Sequence, residues 1–216
     1  MIILGICGFQ GAGKDTFANH LVSNHNFIKF SFAGATKDML NILFGWNRAL
    51  LEGDSMESRQ FRETVDIWWS EKLGIPNLTP RKILQLIGTD LFRKHFNQDI
   101  WVRVVEKKIL TQLKSNSNSN IVISDCRFPN EIQMLRNLGT RIISIQRNLP
   151  PWFDKYKSGL DCEEALKLHE SDISWIREDF DHIISNNFET KELFEFEINK
   201  FIKDNFGNLH NQTQGE

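Results

Sequence analysis

Apolar residues fall along this chain in two alternating kinds of run. Ile2, Ile3, Leu4, Gly5, Ile6 and Cys7 form an unbroken β-prone stretch, the composition of a strand buried on both faces of a parallel sheet. Residues 27–32, 121–124, 141–145 and 182–185 have the same character and predict four further strands. Between them, apolar positions recur at helical spacing, which predicts helices over 14–23, 36–44, 129–138 and 191–203, with Gly139 as a C-cap. The stretch 46–115 has few strand-like runs. Phe61, Val65, Trp68 and Trp69 recur at helical intervals. So do Ile83, Leu84, Ile87, Leu91 and Phe92 after a Thr79-Pro80 start, and then Val102, Val105, Ile109 and Leu113. This stretch reads as a mainly helical insertion. Ser115-Asn116-Ser117-Asn118-Ser119-Asn120 is a polar surface linker. Residues 148–178 are polar and expected to be irregular, and the tail at 207–216 to be disordered. Strands alternating with helices imply a parallel doubly wound sheet in a three-layer α/β/α domain over 1–206. Ligands of that architecture sit at the C-terminal ends of strands.

Composition narrows the class. The 216 residues are 40% hydrophobic and 25% charged, which suits one α/β domain carrying an insertion. A net charge of -2 lacks the basic excess of proteins that grip nucleic acid through its phosphates. No polymer partner is expected, although a basic pocket for a small anion would suit such a chain. The three cysteines, Cys7, Cys126 and Cys162, show no C-x-x-C spacing and indicate neither a disulfide framework nor a zinc site. No apolar run approaches the roughly 18 residues that span a bilayer, and the start lacks the basic leader of a signal peptide. The expectation is therefore no membrane partner and a cytoplasmic protein, in the host cytoplasm if the source is a virus.

The chemistry lies where the first strand gives way to the first helix. Gly8-Phe9-Gln10-Gly11-Ala12-Gly13-Lys14-Asp15-Thr16 matches G-x-x-x-x-G-K in the required strand–loop–helix setting. Glycines let backbone N–H groups turn inward around an anion. The helix start adds donors and partial positive charge, and Lys14 adds a full charge for β- and γ-phosphates. This loop says nucleoside triphosphate, with Gly11, Ala12, Gly13, Lys14, Asp15 and Thr16 as its contacts. The residue after the lysine is ordinarily Ser or Thr, a magnesium ligand; here it is Asp15, followed by Thr16. A carboxylate there can hold magnesium, but it repels phosphate unless a cation intervenes.

A second strand end carries Ser124-Asp125-Cys126-Arg127-Phe128-Pro129-Asn130-Glu131. Asp125 stands where a carboxylate meets magnesium or its water. Arg127 can pair Asp125 or clamp a phosphate with its planar fork, and Glu131 follows on the next helix. Arg81, Gln85 and Gly88 share a face at helical spacing, a cation, an amide and a close-approach glycine suited to phosphate and base. Lys37 is a further candidate phosphate cation. Arg147, at a strand end, can serve transition-state charge. His169 and Ser171 fall in the 148–178 region, which would act as a lid against water.

Together these segments resemble the deoxynucleoside monophosphate kinases of phages and large DNA viruses. The resemblance is carried by the loop with its Asp15-Thr16 pair, the run Arg81 to Asp90 with Gly88-Thr89-Asp90, Trp101-Val102, Asp125-x-Arg127-x-x-x-Glu131, Arg147 and His169-x-Ser171-Asp172. It implies a P-loop NTPase fold, ATP as donor, Mg²⁺, and deoxynucleoside monophosphates as acceptors. It implies an acceptor site built around Lys37, Arg81, Gly88, Thr89 and Trp101, with Asp125, Arg127 and Glu131 near the phosphates and sugar; Gln10 and Gln85 are further acceptor-side candidates. Asp15, Thr16 and Asp125 are the candidate metal ligands, and a homodimer is the candidate assembly. Asp172 stands where glutamate is expected, and the segment between Trp46 and Thr79 matches least well. Competing readings are a phosphomevalonate kinase or dephospho-CoA kinase type of enzyme, or a non-catalytic nucleotide-binding protein. A signalling GTPase is not expected, since no Asp-x-x-Gly follows the relevant strand and no Asn-Lys-x-Asp occurs.

Overall fold

The opening apolar run forms β1 (Ile3–Cys7), buried at every position. Gly13, in the left-handed region at φ 102, starts helix α1 (Lys14–His25), and Asn26 at φ 55 ends it. The chain then enters β2 (Phe27–Phe30). In the computed structural model, which describes residues 1–207, two compact units are found: Met1–Phe30 together with the chain from Ile109 onward, and Ser31–Lys108. The tail expected from residue 207 lies, from 208 on, outside the described residues.

The first unit holds a five-stranded sheet in the order β2-β3-β1-β4-β5, with β3 (Asn120–Ile123), β4 (Arg141–Gln146) and β5 (His182–Ser185). Every pairing is parallel. The fold is the P-loop α/β fold expected from the alternating runs. Side chains alternate across the sheet, so Leu4 and Ile6 of β1 face the opposite way from Gly5. Leu4, Ile6, Val122, Ile143 and Ile145 pack with Phe17 and Leu21 of α1 and with Phe194, Ile198 and Ile202 of α11 (Lys191–Phe206, labelled in chain order with the helices below). On the other face α7 (Pro129–Asn137) presses close. A Cβ on Gly5 would lie 2.9 Å from both Ile142 Cδ1 and Leu135 Cδ1, so this glycine lets helix and sheet approach.

The second unit is helical. It contains α2 (Gly34–Phe44), α3 (Met56–Glu63), α4 (Ile67–Leu73) and α5 (Pro80–Gln85), then a π-helical stretch Leu86–Phe96. Helix α6 (Ile100–Ser115) runs on into the first unit's portion of the chain. Leu40, Trp46, Leu51, Leu78 and Ile83 form its core. The second strand is two residues shorter than its pattern suggests, because Gly34 N–H donates to the Ser31 carbonyl at 3.3 Å and turns the chain into α2.

Residues 148–178 are more ordered than their polarity suggests. They contain α8 (Phe153–Lys157), α9 (Glu163–Leu166) and α10 (Glu170–Ile173). Each is about one turn, too short to print a 3.6-residue period, yet Phe153, Tyr156 and Trp175 are buried. No helix among the described residues is long and apolar enough to cross a membrane.

Phe17 is fully buried at the centre of the α1–sheet contact. Phe17→Ala should cost about 3–5 kcal/mol of unfolding free energy, read as a lower urea midpoint; an unchanged midpoint would contradict this packing.

Candidate active site

Two neighbouring strand ends build the site. Gly5 of β1 pairs in register with Ile123 of β3, so Asp125 stands level with Cys7, where β1 becomes the glycine loop. Parallel neighbours lie about 4.8 Å apart. Cys126 N–H donates to the Ile6 carbonyl at 3.2 Å, carrying the pairing beyond the strand. The fold thus brings the phosphate loop and the Asp125–Arg127 turn together.

The loop bends at Gly8, whose φ of 147 and whose approach to the Ile145 carbonyl leave no room for a side chain. Lys14 is only 9% exposed, and its Nζ donates to the Phe9 carbonyl at 2.7 Å. Burial pushes this ammonium from 10.5 down to about 8; Arg127 pushes the same way, while Asp15, Cys7 and Asp125 oppose. Lys14, Asp15, Asp125 and Arg127 therefore share one electrostatic neighbourhood. Gln10 and Gly11 are exposed at the loop tip, Ala12 is buried, and Thr16 is half-buried on the first turn of α1.

The cation that Asp15 needs is Lys29. Lys29 Nζ donates to Asp15 Oδ1 at 2.8 Å, and Ser124 Oγ donates to the same oxygen at 2.9 Å. Burial alone would raise the Asp15 carboxyl, but Lys29, Ser124 and Lys14 override it and hold it below the usual carboxylate range. Sequence reasoning missed Lys29, although a lone charge within the apolar strand Phe27–Phe30 was a usable signal.

Arg127 is held from two sides. Glu131, 1% exposed, accepts at Oε2 from the Arg127 N–H at 2.7 Å and the Phe128 N–H at 3.1 Å. Its carboxylate thus serves the backbone of the turn and the start of α7. The Arg127 guanidinium pairs with Asp172 Oδ1 at 3.1 Å. Ser171 is buried. His169 Nδ1 accepts from the Ser171 N–H at 3.2 Å and lies 2.8 Å from Ser171 Oγ, capping α10. The same segment grips the loop through aromatics: the Phe9 ring meets Trp152, Phe153 and Trp175 edge-on, with centroids 5.9, 5.9 and 5.2 Å away. Arg147 is exposed just beyond β4.

In the second unit, Lys37 is buried and donates to Glu52 Oε2 at 2.5 Å; Arg48 also pairs with Glu52. Burial would raise the Glu52 carboxyl, but Lys37 and Arg48 hold it below the usual range. Arg81 pairs with Glu63 at 3.0 Å. Arg81 and half-buried Gln85 share a face of α5, but the pitch changes at Leu86, so the 3.6-residue spacing does not carry through to Gly88. Gly88 and buried Thr89 lie in the π-helical stretch. Trp101 is 6% exposed and donates from Nε1 to the Gly88 carbonyl at 2.7 Å, its ring 5.2 Å from Phe92. It is a brace for that stretch, with its ring in the core.

A loop for a polyphosphate facing a carboxylate and a guanidinium is phosphotransferase geometry, and comparison with known proteins fixes the branch. The family model for deoxynucleotide monophosphate kinase matches residues 52–196. This chain belongs to the deoxynucleotide monophosphate kinase family. The matched stretch takes in the helical unit from residue 52, the Asp125 turn and the α8–α10 segment, and begins after the phosphate loop. A protein of Acanthamoeba polyphaga mimivirus assigned as a deoxynucleotide monophosphate kinase is 33% identical over 156 residues, 68% of this chain and 75% of its own. The deoxynucleoside-5'-monophosphate kinase of Escherichia phage T5 is 24% identical, covering 62% of this chain and 72% of its own. The deoxynucleotide monophosphate kinase of Enterobacteria phage T4 is 21% identical, covering 90% and 96%. Among solved structures, a dephospho-CoA kinase from Campylobacter jejuni matches with 18% identity and a TM-score of 0.46, over 94% of this chain and 96% of that one. The P-loop α/β fold follows from the parallel strand order β2-β3-β1-β4-β5 and the glycine loop after β1.

The Lys14 shift has a stability consequence. Its folded value, about 8, lies below the ordinary 10.5, so between these pH values the unfolded chain binds more protons and stability rises with pH. Relative to Lys14→Met, the native protein should gain about 3 kcal/mol between pH 8 and 10.5, measured by urea unfolding at each pH. A constant difference between the two proteins would refute the buried charge.

Proposed function

We infer that the protein transfers the γ-phosphoryl group of ATP to deoxynucleoside monophosphates, yielding ADP and deoxynucleoside diphosphates. The observation that carries this reading is the buried Lys14 in a glycine loop beside Asp125 and Arg127, in a chain of the deoxynucleotide monophosphate kinase family. The phosphomevalonate and dephospho-CoA readings lack that support.

The reaction is an in-line displacement: a phosphate oxygen of the acceptor bonds to the γ-phosphorus as the bond to the β–γ bridging oxygen breaks. Positioning and charge neutralisation supply the catalysis. Lys14 and the loop amides of Gly11, Ala12 and Gly13 hold the donor. Lys14 now donates to Phe9, and turning that ammonium onto a phosphate oxygen replaces a neutral acceptor with an anionic one. Arg127 gives the acceptor phosphate a fork of donors, kept in place by Asp172 and by Glu131 through the turn. Arg147 meets charge on the transferring group.

The oxygen donors of Asp15, Thr16 and Asp125 fit a hard cation, and Asp15 already accepts from an ammonium. These residues would hold Mg²⁺, which when bound neutralises the β- and γ-phosphates. The reading keeps Gln10, Lys37, Arg81, Gln85, Gly88 and Thr89 as acceptor-side residues, with Trp101 shaping Gly88. Residues 148–178 exclude water as a lid belonging to a single kinase domain. Nucleotides are the partners, with no nucleic-acid polymer. A homodimer is the proposed assembly and the cytoplasm, the host's for a virus, the proposed compartment.

The test is a coupled assay of ADP release with ATP, Mg²⁺ and each of dAMP, dCMP, dGMP and dTMP. Turnover is expected with at least one acceptor, and Lys14→Ala should lower kcat/KM for ATP about 100-fold or more without loss of fold by circular dichroism. Micromolar ATP binding with no transfer to any of the four would reduce the protein to a nucleotide-binding module.

A further inference from the structure

We propose that Asn186 is a positioning residue for the donor polyphosphate, aiming one of the loop's N–H groups; this rests on the donor-site reading above. Asn186 follows β5, and its N–H donates to the Gln146 carbonyl at 2.7 Å, extending the β4–β5 pairing past the strand ends. The residue is 6% exposed. From that fixed base its Nδ2 donates to the carbonyl of Ala12 at 2.7 Å, a buried hydrogen bond between residues 174 apart in sequence.

The peptide between Ala12 and Gly13 is planar and trans. In such a unit the carbonyl and the following N–H point in opposite directions. Drawing the Ala12 carbonyl onto Asn186 therefore turns the Gly13 N–H away from it, toward the hollow where loop amides meet an anion. Without the amide, the carbonyl loses a buried partner and is free to turn inward, where its oxygen would repel phosphate. Gly13 confirms how tightly the two are fitted. A Cβ at its φ of 102 would run into Asn186 Nδ2 and sit 3.0 Å from Phe194 Cε1, so only a glycine passes between Asn186 and the helix start. The ligand class addressed is the polyphosphate chain alone, independent of base and sugar.

The experiment compares native protein with Asn186→Ala and with Asn186→Asp, which keeps the shape and removes the donor. Sodium tripolyphosphate serves as a competitor lacking base and sugar, and adenosine as one lacking phosphate. In both variants the inhibition constant for tripolyphosphate and the KM for ATP should rise together by roughly tenfold. Inhibition by adenosine and the KM for the monophosphate acceptor should stay within about twofold. An unchanged tripolyphosphate constant, or an equal loss for adenosine and acceptor, would overturn the assignment. So would loss of the cooperative thermal transition in both variants, which would make the amide a core element. If native protein is not inhibited by tripolyphosphate at all, it is the donor-site reading that fails.

Discussion

An ammonium buried in a backbone loop is expensive unless something answers its charge. Lys14 occupies that position, with a carbonyl as its hydrogen-bond acceptor and a guanidinium among its neighbours. The nearby carboxylates offset part of this, but Asp15 is already committed to Lys29 and Ser124, and Arg127 to Asp172. The free protein thus holds a positive charge that burial weakens to about 8. In the proposed reading a polyphosphate supplies the missing charge, and the energy withheld in the free state goes to donor binding.

Everything around Lys14 fixes its setting. Parallel pairing of β1 with β3 puts Asp125 level with the loop, and Glu131 caps the turn so that Arg127 leaves it in one direction. The Phe9 ring is held among Trp152, Phe153 and Trp175, which ties the loop to the segment that also carries Asp172. Positioning of this kind is what phosphoryl transfer requires, because the protein supplies geometry and charge with no covalent intermediate.

How much of this could be read in the sequence depended on distance along the chain. The phosphate loop is local: strand, glycines, lysine and helix are consecutive, and the structure has them in that order. Asp125 was legible because the strand before it is buried throughout its last three residues. Lys29 stood out as a lone charge in an apolar strand, but its partner 14 residues away did not show, and neither did that of Asn186, 174 residues away; only the fold brings each pair together. Glu131 and Trp101 are polar or aromatic in useful places, but their targets are backbone groups, which a sequence does not display. The π-helical stretch Leu86–Phe96 shares its apolar period with an α-helix closely enough to pass as one.

The most direct measurement is the titration of Lys14 itself, followed by NMR of the Cε–Hε pair in lysine-labelled protein, with Lys14→Arg to assign the signal. The account predicts a midpoint near 8 in the free protein and a rise of about two pH units or more when tripolyphosphate occupies the loop. A midpoint near 10.5 in the free protein, unmoved by the polyphosphate, would contradict it.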